Sequence, residues 1–129
     1  MRQMNWQELA ECQRCTAQHL RDTQEPQFAR GVCSRAYYAA YALVTARLPG
    51  SITFGRGWRN PEHGKLPAYV SRIAGLRETD RRTVRQALRR LRQRREDADY
   101  GPGITVDLSA ALKSMRDLAS VFLILNPSA

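Results

Sequence analysis

The segment from Pro26 to Leu48 limits the possible folds more than any other part of the chain. Phe28, Val32, Ala36, Ala39, Leu43 and Ala46 recur at helical spacing and form one apolar stripe. Much of the remaining circumference is also apolar or small, with Cys33, Ala40 and Val44 beside Tyr37, Tyr38 and Tyr41. Such a helix has no broad polar face to offer water, so other helices must surround it. Pro26 suits its first turn, and Pro49-Gly50 ends it.

Shorter amphipathic stripes supply those neighbours. From about Asn5 to Arg21, Trp6, Leu9, Ala10, Ala17 and Leu20 fall on one face, with Asn5 as N-cap and Glu8 three residues on. A short helix from about Glu62 to Gly75 carries Leu66, Tyr69, Val70 and Ile73, with Pro67 tolerable only near its start. A fourth helix begins near Thr79 with Val84, Ala87, Leu88 and Leu91 and stops at Gly101-Pro102-Gly103. The fifth, capped by Asp107 or Ser109, carries Leu108, Ala111, Leu112, Met115, Leu118, Ala119 and Phe122. The apolar Val121–Leu125 run closing it calls for burial in the core or at a subunit contact. No strand and no internal repeat stands out. The expected fold is all-α: a compact four- to five-helix up-and-down bundle, one domain over residues 1–129, with an irregular loop at about 49–61.

Several function classes drop out. The longest apolar run is the five residues Val121–Leu125, far short of the roughly 18 that a membrane span needs. The start of the chain lacks an apolar signal region, so a cytoplasmic protein is expected. Three cysteines is an odd count that suits a reducing compartment. Cys12, Cys15 and His19 imitate a zinc motif, but on one helix Cys12 and His19 stand roughly 10 Å apart along the axis. An ion that holds its ligands at about 2.0–2.3 Å cannot bridge them. No metal or cofactor is expected. There is no phosphate-binding glycine loop, and with only His19 and His63 as neutral-pH bases, no hydrolase triad can be nominated.

Charge is the main functional hint. The chain carries 21 Lys and Arg against 12 Asp and Glu, a net +9, which attracts polyanions such as nucleic acid or acidic partners. All but Lys65 and Lys113 are arginine, a bias that genome composition alone can produce. Nine arginines lie between Arg77 and Arg95, beside only Glu78 and Asp80. Arg81, Arg82, Arg85, Arg89 and Arg92 share one sector, either a solvated face or a phosphate-contacting one. Arg95 instead continues the apolar line of Val84, Leu88 and Leu91. A charge there must be paired, with Asp97 or Asp99 at hand, or must line an anion site. Arg35, near the edge of the buried stripe of its helix, poses the same choice.

The run Ser34-Arg35-Ala36-Tyr37-Tyr38-Ala39-Ala40-Tyr41 resembles the SRAYYA pattern of small prokaryotic proteins with HEPN domains (higher eukaryote and prokaryote nucleotide-binding domains). His63-Gly64 and Arg95-Glu96-Asp97-Ala98-Asp99-Tyr100 resemble that group's later H-G and R-x-x-A-D-Y patterns, in matching order from about residue 28 to 101. The resemblance implies a helical homodimer. It also implies a role in toxin–antitoxin or other defence systems, commonly beside a nucleotidyltransferase-type partner. Many relatives of this kind are metal-independent ribonucleases using R-x4–6-H, where Arg steadies the phosphate and His activates a ribose 2′-OH.

Here Tyr100 stands where that pattern has His, and a phenol, titrating near about 10, is a poor base. Arg56 and His63 fit R-x6-H only within the irregular loop. The favoured expectation is an RNA-, nucleotide- or partner-binding protein of doubtful catalysis, with Arg35, Arg85, Arg89, Arg92 and Asp99 contacting the ligand. The alternative is a metal-independent endoribonuclease using Arg95, Tyr100 and His63 and leaving 2′,3′-cyclic phosphate ends. A structural helical module with an acidic partner is the third reading.

Overall fold

The computed structural model describes residues 3–126, so the extremes of the expected 1–129 domain lie outside the described residues. Five helices are present: α1 (Trp6–Asp22), α2 (Ala29–Arg47), α3 (Leu66–Tyr69), α4 (Glu78–Tyr100) and α5 (Leu108–Leu125). No strand occurs among the described residues, and no helix there is long and apolar enough to cross a membrane.

As its composition requires, α2 is the central helix, packed against α1, α4 and α5. Twelve of its residues, from Ala29 to Thr45, are buried, Tyr37, Leu43, Val32 and Val44 almost completely. Side-chain pairs fix the topology. Trp6 meets Tyr41 edge-on at 5.9 Å while Arg35 reaches Gln13, so α1 runs antiparallel to α2. Arg30 reaches Gly101 at the end of α4 while Tyr37 and Tyr38 meet Arg95, making α4 antiparallel to α2 as well. Arg90 and Arg94 reach back to Asp117 and Ser114, reversing α5 against α4. The four long helices therefore alternate up and down.

Local chemistry sets the helix ends. Asn5 accepts from the Glu8 amide at 2.7 Å, and the Glu8 carboxylate accepts from the Asn5 amide in return at 3.4 Å. Of the two expected caps for α5, Asp107 is the one used, accepting from Ala110 N–H. Pro26–Phe28 form a 3-10 turn rather than the first turn of α2, which swings Phe28 off the stripe and leaves it 39% exposed. The helix expected over Glu62–Gly75 is broken into a 3-10 turn (His63–Lys65), the single α-turn of α3 and another 3-10 turn (Val70–Arg72). Pro67 confines α3 to a start at Leu66, and Gly75 turns the chain at φ 81°. Leu66, Val70 and Ile73 are buried nonetheless. Of the closing apolar run, Val121 and Leu125 enter the core, whereas Leu123 is 74% exposed.

Arginines serve as helix terminators. Arg30 of α2 donates from Nη1 to the carbonyls of Asp97, Ala98 and Gly101, each at 3.1 Å, and from Nη2 to Ile104 O. These include carbonyls that a helix end leaves without a partner. Gly101 allows the tight exit, since a Cβ there would meet Asp97 O at 2.9 Å. Arg47 closes α5 the same way, donating to Leu125 O at 2.7 Å and to Asn126 Oδ1. Between α4 and α5, Asp117 accepts from both Arg90 and Arg94 at 2.8 Å.

Replacing Arg30 by Ala should lower stability by about 2 kcal/mol, because hydrogen bonds from a charged group are lost together and a helix end is left open. Arg30→Lys should recover only part of this, an ammonium lacking the planar fork. Thermal and urea denaturation of the three proteins would measure the order.

Candidate functional site

The tyrosines of α2 form one wall of a polar cluster. Tyr37 is fully buried, Tyr38 partly so, and the two rings meet edge-on at 5.3 Å. Across from them α4 presents Arg95 at the position where its apolar stripe would continue. Arg95 is only 6% exposed, and its Cζ lies 5.2 Å from the Tyr37 ring, 5.5 Å from Tyr38 and 5.6 Å from Tyr100. Three ring quadrupoles thus face one guanidinium, at a favourable energy of about 2 kcal/mol where water is excluded. Its Nε is buried without a hydrogen-bond partner, and Arg95 forms no ion pair among the described residues.

Of the two alternatives for Arg95, an internal salt bridge or an anion site, the salt bridge is not formed among the described residues. Asp97 accepts from Gln93 Nε2 at 3.0 Å, and Asp99 accepts from Ser34 Oγ at 3.2 Å. Asp97 is bonded along α4 and Asp99 across to α2, and neither pairs with the Arg95 guanidinium. A buried cation offset only by aromatic faces is incompletely compensated. It is suited to an anion that arrives from outside.

His63 enters the same cluster from the loop before α3. Its Nδ1 is 2.7 Å from Tyr37 Oη, and its ring centroid lies 4.8 Å from that of Tyr41 and 5.6 Å from that of Tyr37. Tyr41 sets this position by donating its hydroxyl proton to Pro61 O at 2.6 Å, two residues upstream. Burial, then the positive charges of Arg95 and Arg92, hold His63 below the ordinary imidazole range, with Glu96 opposing. His63 is therefore neutral at physiological pH. Burial likewise raises the Tyr37 phenol and takes Tyr41 up to about 12, so both keep their protons. With Tyr37 donating to His63 Nδ1, the imidazole hydrogen sits on Nε2, where it can be donated to an incoming oxygen. Reversing the Tyr37–His63 bond would free a lone pair at Nε2 and convert the same ring into a base.

Arg92 completes the electrostatics. With Arg89, Gln93, Glu96, Tyr37 and His63 it lines a cavity of about 380 Å³ between α4 and the start of α3. Arg92 Nε stands 3.0 Å from Glu96 Oε1, an ion pair without hydrogen-bond geometry, since that nitrogen has no hydrogen-bond partner. The cavity wall therefore carries Arg89 and Arg92 against one carboxylate.

The nominated residues divide accordingly. His63, Arg89 and Arg92 line the cavity, whereas Arg95 does not border it but lies against its Tyr37 wall, with Tyr100 on the Arg95 guanidinium. Tyr100 is 73% exposed and offers Arg95 the face of its ring, a role unlike that of a catalytic base. Arg85 instead pairs with Glu78 at 2.6 Å near the far end of α4, and Arg35 donates to Gln13 at 3.2 Å. Asp99 is occupied by Ser34. Tyr37 was not nominated, although it touches both Arg95 and His63. Its place on the most buried side of α2 was the available signal. Cys12, Cys15 and His19 are exposed on α1, and no cluster of three metal-ligating side chains occurs among the described residues.

A scan against protein-family models finds no match, and no curated protein or solved structure shows significant similarity to the chain.

The sign of the His63 linkage follows from its lowered pKa. The unfolded chain takes up the proton first, so stability falls as pH drops from about 6.5 toward the folded value. NMR titration should show His63 protonating below the ordinary range, and Arg95→Ala should move it upward by removing a neighbouring positive charge. An unmoved His63 would mean that the two groups are not electrostatically coupled.

Proposed function

We propose that the basic cavity of His63, Arg89 and Arg92, with Arg95 against its Tyr37 wall, binds a phosphate of RNA or of a nucleotide. One observation carries this reading: a buried guanidinium ringed by three tyrosines, with no carboxylate partner among the described residues. Phosphate supplies the missing anion, and Arg92 and the Nε2–H of a neutral His63 supply further donors at its edge. The helical bundle agrees with the HEPN resemblance without distinguishing it from other all-α folds. From that resemblance come the further proposals of a homodimer, a nucleotidyltransferase-type partner and a toxin–antitoxin or defence role.

The placement of His63 favours a second reading, metal-independent RNA cleavage. In that reaction Tyr37 accepts from Nδ1–H, and Nε2 takes the proton of a ribose 2′-OH. The 2′-oxygen attacks phosphorus, the bond to the 5′-oxygen breaks, and the leaving oxygen takes a proton from water while His63 returns the one it took to solvent. Arg95 neutralises the charge that grows on the phosphoryl oxygens. The base that a local R-x4–6-H motif would supply comes instead from another loop.

Fluorescence anisotropy with single-stranded RNA, followed by incubation in EDTA, tests both readings. Arg95→Ala should weaken binding at least tenfold, since it removes a charged contact worth about 1.5–3 kcal/mol. Thermal denaturation would show whether that variant remains folded. Cleavage to 2′,3′-cyclic ends that disappears in His63→Ala would establish the ribonuclease reading. Binding without cleavage would leave the binding function alone. Absence of RNA and nucleotide affinity at physiological salt would reject both and leave an acidic protein as the partner.

A further inference from the structure

His63 lines two cavities. Besides the basic one shared with Arg92, it borders a second of about 520 Å³ together with Tyr41, Trp58, Arg59, Asn60 and Glu62. We infer that this second cavity is a base-stacking subsite for single-stranded nucleic acid, with Trp58 as its platform. The inference rests on the phosphate-binding reading of the basic cavity beside Arg92 and adds the class of ligand that the cavity takes.

Trp58 is the main reason. A tryptophan gains most by burial, yet this one is 53% exposed on the 49–61 loop and takes no part in the core. The guanidinium of Arg56 lies 5.8 Å from its ring centroid, a cation–π contact that orients the indole. Arg56 and Gly57 both hold positive φ, 59° and 69°, so the backbone turns sharply just before Trp58. For Arg56 that conformation is uncommon and needs support from its surroundings.

Glu62 provides such support. Its carboxylate accepts from Gly55 N–H and Tyr69 Oη, each at 3.0 Å, and pairs with Lys65 at 3.3 Å. These contacts hold Glu62 down to about 2, with the Gly55 amide first among the causes. Gly55 makes the approach possible, because a Cβ there would meet Glu62 Oε2 at 2.8 Å. The one carboxylate beside the cavity is thereby engaged by the loop, and Arg59 adds positive charge on the open side.

The remaining groups suit a nucleobase. Tyr41 spends its hydroxyl on Pro61 O and presents its ring. The exposed Asn60 carries both a donor and an acceptor, which can meet the edge of a base. Bases of a single strand are free to stack on such a surface, whereas those of a duplex are not. Because His63 borders both cavities, a strand with its phosphate beside Arg92 can lay the adjoining base against Trp58. That continuity favours a nucleic acid over a peptide.

The test uses the full chain and three labelled probes: a short 2′-O-methyl single strand, which cannot be cleaved at its 2′-oxygen, its abasic counterpart, and the duplex. Trp58→Ala should weaken the single strand about tenfold or more and leave the abasic chain unchanged. Trp58→Phe should retain most of the affinity. In a Trp6→Phe background, the single strand should quench the remaining indole fluorescence while the abasic chain does not. Equal affinity of wild type and Trp58→Ala for the single strand would overturn the subsite, and so would equal losses on both single-stranded probes. If Arg95→Ala still lost both probes, the phosphate site would survive that result. If wild type bound none of the probes, the phosphate reading would fail and this inference with it.

Discussion

The bundle depends on the burial of α2. A helix with Ala, Val, Leu and Tyr on nearly every side is stable only if enclosed, and α1, α4 and α5 enclose it. Small residues bring the partners close: Ala10 and Ala17 of α1, Ala36, Ala39 and Ala40 of α2 and Ala87 of α4 are completely buried. The tyrosines interrupt this close packing. Tyr37 and Tyr38 carry Arg95 of α4 on their rings, and Tyr37 and Tyr41 pack against His63, so the candidate site is built on the large side chains interleaved with the alanines of the central helix.

The long helices were legible because each carries a stripe of the correct period and recognisable ends. Asn5 with Glu8, Asp107 and Gly101 all act as their residue types suggest. The Glu62–Gly75 segment was less legible. Its stripe has helical spacing, and Leu66, Val70 and Ile73 are buried as that stripe requires, but Pro67 limits which hydrogen bonds can form. Periodicity reports which side chains turn inward, and 3-10 and α-turns can serve that end alike. The same ambiguity displaced Phe28, one turn too early to share the α2 register.

The site was legible in part. The angular position of Arg95 on α4 was enough to foresee a buried charge. Its surroundings were not, because Tyr37 and Tyr38 are distant in sequence and nearby acids looked like the natural partners. Helical geometry turns Asp97, two residues on, well around the circumference, while Asp99, four residues on, shares the face of Arg95 but accepts from Ser34 instead. The pairing of His63 with Tyr37 depends on the path of an irregular loop. No local periodicity encodes that path. It depends on Tyr41 holding Pro61 and on Glu62 holding Gly55.

Net charge is a poor guide to how many arginines remain for a ligand. Along α4, Arg81 donates to Ile73 O, Arg85 pairs with Glu78, and Arg90 and Arg94 share Asp117. From α2, Arg30 and Arg47 close the ends of other helices. These side chains stitch helices together, and their charge is committed to carbonyls and carboxylates. A basic composition would arise from that architecture even without a polyanion to bind. Arg95 differs from these because it is buried and has no carboxylate partner among the described residues. It is held by aromatic faces alone and stands beside an imidazole kept neutral by the same burial. A positive group placed that way contributes little to folding that an apolar side chain would not contribute at lower desolvation cost. In the function proposed above, an anion completes it.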